Sequence, residues 1–223
     1  MTELSTAQII AVSIIPVLFA ITLHEVAHGW VASKCGDQTA RLSGRLTINP
    51  MKHIDLVGTV IVPIIFLIFF KPYVFGWAKP VPVDARNMRN PRRDMAIVSV
   101  AGPIANFLMA LFWAGIAKCG VASAASAPQI AIFLAYAGEV GIIINILLMV
   151  LNCLPIPPLD GGRFVMSVLP GRMAFKIAPF ERYAFIILLL LMVTGVLSAI
   201  ISPPFAFFVQ WIFELFGLPY LNL

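Results

Sequence analysis

Residues 4–23, LSTAQIIAVSIIPVLFAITL, carry no charge and run directly into His24-Glu25-Val26-Ala27-His28. An apolar run of this kind is long enough for a helix crossing the ~30 Å hydrocarbon core of a bilayer. On such a helix residues i and i+4 share a face, so the imidazoles of His24 and His28 can grip one ion. Two histidines with a glutamate between them, at this spacing, are the pattern of zinc hydrolases, in which the carboxylate takes a proton from metal-bound water. A plainer reading sets the three side chains among lipid headgroups at a helix end. Ionisable residues inside apolar spans are functional by default, which favours the metal.

The rest of the chain agrees with a membrane setting. Of 223 residues, 61% are hydrophobic and 11% charged, against about 25% charged in a soluble domain. A mean hydropathy of +0.98 predicts a multi-pass membrane protein and excludes an ordinary soluble enzyme. The net charge of +5 is no nucleic-acid signal, because the basic residues lie in loops, where they set topology. Residues 4–23 lack a basic leader and an Ala-x-Ala site, so they read as a retained helix. Cys35, Cys119 and Cys153 form no even set and no CxxC, so no structural disulfide is expected. There is no internal repeat or long linker, and residues 1–223 read as one membrane-embedded domain.

Four segments are long enough to cross: roughly 7–33, 95–117, 130–153 and 183–202. The apolar run 56–70 is shorter and contains Pro63, and the run 205–216 follows Pro203-Pro204. If 56–70 dips in and returns, all 15 Lys and Arg residues except Lys118 fall on one side. If it crosses fully, they scatter over both. The positive-inside rule therefore predicts a re-entrant segment, with the N-terminus outside and the site toward the cytoplasm. The expected fold is an all-α polytopic membrane protein with four full transmembrane helices, this re-entrant segment, and a C-terminal half or interfacial helix.

A catalytic zinc site takes three protein ligands and a water. The best source of the third is Asn152-Cys153-Leu154-Pro155-Ile156-Pro157-Pro158-Leu159-Asp160-Gly161-Gly162, whose prolines forbid regular helix and whose only charge is Asp160. Irregular backbone at membrane depth survives only inside protein or against a wet cavity. The alternative makes Asp160 the N-cap of a helix over 163–168, and capping does not exclude ligation. With the re-entrant threading, residues 152–160 arrive on the same side as His24 and His28.

Together these pieces resemble the site-2 protease family of intramembrane metalloproteases, in the minimal form without PDZ or CBS domains. The matching stretches are HEVAH at 24–28, FGWAKPVPV at 75–83, AGPIAN at 101–106 and NCLPIPPLDGG at 152–162. The resemblance implies that His24, His28 and Asp160 bind Zn²⁺, that Glu25 is the general base, and that Asn152 holds substrate or an oxyanion. It also implies a short β-hairpin near the site and transmembrane protein substrates met in the lipid bilayer of a cell membrane, with no nucleic-acid partner.

Residues 75–83 read as extended, since Gly76, Pro80 and Pro82 oppose helix. The prolines strip donors from one edge; Val81 and Val83 keep theirs on the other, an edge suited to strand addition by an unwound substrate. A proline-rich surface loop is the alternative. Gly102 and Asn106 read first as helix packing, and Asn145 as interhelical glue on the face it shares with Asn152. His53 reads as a solvated or interfacial loop residue, Cys153 as a small buried thiol, and Glu139 as the outer start of its helix. A zinc transporter would explain histidine and aspartate within lipid, but it gives Glu25 no reason to sit between the histidines.

Overall fold

The computed structural model describes residues 4–69 and 76–219, and every regular element among them is helical. Helix α1 (Thr6–Cys35) opens on a capping box: Ser5 Oγ accepts from the Gln8 N–H and Gln8 Oε1 accepts from the Ser5 N–H. It stops at Gly36, whose φ of 116° suits a residue without a Cβ. A short α2 (Thr39–Leu42) and a 3₁₀ turn at Pro50–Lys52 follow. A π-helical turn of six residues (Leu56–Ile61) then leads into the eight of α3 (Val62–Phe69). At ~1.5 Å per residue the described part of the two reaches roughly 21 Å.

Helices α4 (Pro91–Ala122) and α5 (Pro128–Asn152) form the central pair, each with proline in its first turn, where a missing N–H costs nothing. Then come α6 (Asp160–Val168), α7 (Gly171–Ile177), α8 (Ala184–Val193) and α9 (Val196–Phe216). Four helices are long and apolar enough to cross a membrane: Ala7–Cys35, Pro91–Ala122, Pro128–Asn152 and Val196–Phe216. Exposed Ile104, Leu108 and Phe112 on α4, and Phe207, Trp211 and Leu215 on α9, recur every fourth residue as apolar stripes fit for acyl chains. The protein is a multi-pass all-α membrane protein.

Three spans fall where the sequence put them. The fourth does not: the expected helix over 183–202 is interrupted at Gly195, which takes φ 76° just past the end of α8. Glycine after a helix end accepts the left-handed conformation that stops the helix. The expected break at Pro203-Pro204 is absent; both lie inside α9, which replaces the anticipated half-helix over 205–216. Apolar helices tolerate such prolines because neighbours and local adjustment cover the freed carbonyls. No strand forms among the described residues, so the expected β-hairpin is not seen there; residues 70–75, including Phe75, lie outside them.

Small residues bring the helices close. A Cβ on Gly138 would lie 2.5 Å from Ala117 Cβ, one on Gly141 2.5 Å from Trp113 Cδ2, and one on Gly120 2.6 Å from the Ala135 nitrogen. As the number rises along α4 it falls along α5, so the pair is antiparallel. Contacts of α1 with α4 follow the same rule: Asn106 bonds the Ala20 carbonyl, and His28 bonds the Val98 carbonyl. Helices α1 and α5 therefore run parallel, and His24–His28 and Asn152 end up at the same end of the bundle. Gly141→Val should force the Trp113 ring aside at a cost of about 1–3 kcal/mol. Gly115, with nothing within 4 Å of its would-be Cβ, should tolerate alanine without loss. Thermal unfolding of the detergent-solubilised protein followed by tryptophan fluorescence compares the two.

Candidate metal centre

His24 and His28 leave α1 on the face turned to α4. Their Nε2 atoms stand 3.1 Å apart, and Asp160 Oδ2 lies 3.1 Å from each. All three residues are buried, and among the described residues they are the group of three ligating side chains that fits one metal ion. Both imidazoles and the Asp160 carboxylate turn their ligating atoms, Nε2, Nε2 and Oδ2, toward one another. A charged, deprotonated carboxylate is what a metal ligand must be.

The remaining ring nitrogens fix the tautomers. His28 Nδ1 lies 2.8 Å from the Val98 carbonyl, which can only accept, so Nδ1 carries the proton and Nε2 is free to ligate. His24 Nδ1 donates to Asn106 Oδ1 at 2.5 Å. The Asn106 amide is oriented in turn by its Nδ2, which donates to the Ala20 carbonyl at 3.1 Å and to Asn145 Oδ1 at 2.9 Å. Asn145 Nδ2 donates to the Gly141 carbonyl. A chain of buried amides thus runs from α5 through α4 to the metal face of α1. Gly102 makes room for it, since a Cβ there would lie 2.5 Å from His24 Cε1 and 2.7 Å from its Nε2.

Asp160 is delivered by a tight turn. A Cβ on Gly161 would fall 2.5 Å from the Leu154 carbonyl oxygen, and one on Gly162 2.5 Å from the Ile156 carbonyl carbon. The first turn of α6 therefore packs backbone against backbone on residues 153–157, and both glycines are needed for it. Asp160 is the first residue of α6, Leu159 occupies the cap position, and no side-chain cap bond forms. The alternative capping role for Asp160 is not realised.

Asn152 lies at the end of α5, where its Nδ2 donates to the Leu148 carbonyl at 3.0 Å. It shares with Asp160 a cavity of about 620 Å³ whose wall includes Pro103, Phe107, Phe164 and Phe208. Cys153 is exposed on that cavity rather than buried. Glu139 is not at a helix start; it is buried within α5, beside Ala117 and Phe213. His53, expected to be solvated, is 2% exposed and bonds the Thr47 carbonyl through Nε2.

Residues 76–84 form an extended strap laid across α1. The Trp77 N–H donates to the Gly58 carbonyl and the Lys79 N–H to the His53 carbonyl. The Val81 N–H donates to Glu25 Oε2 at 2.7 Å, and the Asp84 N–H to Asp37. Burial pushes the Asp37 carboxyl up, but donation from Thr39, Asp84 and Asn87 prevails and lowers it. The Val81 donor, expected to be open to an incoming strand, is engaged by the protein's own glutamate. Val98, whose carbonyl sets the His28 tautomer, and Arg45, whose guanidinium holds the strap, carried no sequence signal, since both act through backbone oxygens.

The class is thus defined: a polytopic membrane protein with a buried two-histidine, one-carboxylate centre and a glutamate beside it. Residues 115–195 match peptidase family M50. "Putative zinc metalloprotease YwhC" of Bacillus subtilis is 36% identical over 193 residues, covering 85% of this chain and 84% of that protein. "Putative zinc metalloprotease Rip2" of Mycolicibacterium smegmatis is 28% identical over 198 residues, covering 89% and 68%. "Regulator of sigma-E protease RseP" of Escherichia coli is 33% identical over 97 residues, 41% of this chain and 21% of its own length. No solved structure matches. This chain belongs to peptidase family M50, the site-2 protease family.

Replacing the amide that orients His24 should loosen the centre without removing a ligand. Asn106→Leu is expected to lower divalent-metal affinity about 10- to 100-fold, read by competition against a chromophoric chelator.

Proposed function

We propose that this chain is an intramembrane zinc endopeptidase, a single membrane-embedded domain that hydrolyses peptide bonds in or near transmembrane helices of other membrane proteins. The observation that carries this is the triangle of His24, His28 and Asp160. Tetrahedral zinc with bonds of about 2.0–2.1 Å sets neighbouring ligand atoms roughly 3.3 Å apart, and here they stand 3.1 Å apart. Two neutral imidazoles and one carboxylate are also a donor set that zinc accepts in hydrolases. When bound, zinc polarises the scissile carbonyl and lowers the pKa of a coordinated water to about 7.

The chain's own residues supply the rest. Glu25 takes the proton of the attacking water and returns it to the leaving amine nitrogen. Asn152, on the cavity shared with Asp160, holds the substrate backbone or the oxyanion that develops on it. The apolar wall of that cavity suits side chains of a membrane helix, and the irregular 153–159 stretch gives water a route to the site. A helix hides its carbonyls in internal hydrogen bonds, so the substrate must unwind locally before it is cut.

The threading we propose keeps 56–70 re-entrant, as the one-sided distribution of Lys and Arg supports, with α1 entering from outside and the centre near the cytoplasmic face of a prokaryotic membrane. A reporter fused near Arg89 should read cytoplasmic; an external signal would reverse the topology.

Cleavage of a panel of single-pass membrane helices tests the function directly. The wild type should cut in a zinc-dependent manner, and Glu25→Gln should keep its zinc and lose at least about 100-fold in rate. A zinc transporter with no peptidase activity would instead show metal flux in both forms.

A further inference from the structure

We propose that Arg45 is a positioning residue for Glu25, acting through the strap. The inference rests on the reading of Glu25 as the general base. Arg45 is 9% exposed, and a cation that far from water needs oxygen partners. Nη2 finds them on the strap, donating to the Lys79 carbonyl at 2.7 Å and reaching the Pro80 carbonyl at 3.4 Å, while Nε has no hydrogen-bond partner among the described residues. Those carbonyls immediately precede Val81. Pro80 and Pro82 have no N–H, so Val81 is the one backbone donor in that triplet. Its N–H donates to Glu25 Oε2 at 2.7 Å.

The side chain of Val81 secures the same register. It is 6% exposed and sits over Gly29, where a Cβ would come within 2.8 Å of Val81 Cγ1. Glu25 and Gly29 are four residues apart on α1, so one helix face receives both the N–H and the side chain of Val81. With the Lys79 and Pro80 carbonyls held, the Val81 peptide plane is held, and one oxygen of Glu25 is pinned. The second oxygen is left to move the proton, from a carboxylate that no longer samples other rotamers.

The test uses the whole zinc-loaded protein in proteoliposomes with a cleavable single-pass substrate. Arg45→Met should lower kcat about 10- to 100-fold, the cost of a misplaced catalytic group, while zinc stoichiometry and KM hold. Amide hydrogen exchange at Val81 should quicken in Arg45→Met and in Glu25→Ala. Arg45→Lys, which keeps a donor toward the Lys79 carbonyl, should recover part of kcat and of the protection. Wild-type kcat in Arg45→Met, a loss confined to KM or zinc content, or unchanged Val81 exchange each overturns the proposal. If Arg45→Met does not fold, Arg45→Lys decides by the same readings, with wild-type kcat and exchange counting against it. Active Glu25→Gln would sink the base assignment itself. Inactive Glu25→Gln beside fully active Arg45→Met would sink only the role of Arg45.

Discussion

The close approach of α4 to α1 at Gly102 is the constraint on which the site depends. Two imidazoles and a carboxylate are gathered inside an apolar bundle, where every unpaired polar atom is costly. They fit because α4 presents no side chain at Gly102. They are also satisfied by α4, through the Asn106 amide and the Val98 carbonyl. One helix therefore makes the space for the histidines and sets their protonation. The antiparallel pairing of α4 with α5 extends this support to Asn145 and leaves Asn152 at the correct end of the bundle.

The opposite face of the HEVAH turn is organised by different means. There the partners are backbone groups of residues 76–84, an extended segment with two prolines and with anchors at Gly58, His53, Glu25 and Asp37. The ligands are thus held by helix packing, and the glutamate by a strap. Rigid elements locate the ligating atoms relative to one another, while a segment anchored at several points along its length locates the carboxylate beside them.

Much of this was legible in the sequence, and the pattern of misses is physical. His24, Glu25 and His28 declare themselves by i, i+4 spacing, and Asp160 by being the one charge in a proline-broken stretch. The parallel course of α1 and α5 followed from where the basic residues lie. Asn106 and Asn145 were visible as polar groups inside apolar spans, but their orientation of His24 depends on helix register, which composition does not carry. The fourth span was misplaced because 183–202 carries no charge and Pro203-Pro204 looks like a stop; the actual stop is Gly195, a single residue whose left-handed φ ends α8. His53 looked solvated because its loop is basic, yet the fold buries it beneath the strap it helps to hold. Val98 and Arg45 were silent because one contributes only a carbonyl and the other reaches carbonyls 34 and 35 positions away.

Helix α4 turns Gly102 and Asn106 toward the histidines and, two residues on from each, Ile104 and Leu108 outward. Ile104 also lines the cavity shared by Asp160 and Asn152, so that hollow borders the outward side of α4 itself. One short length of chain therefore braces the imidazoles on one flank and shapes the hollow on the other, and reshaping the hollow disturbs the bracing.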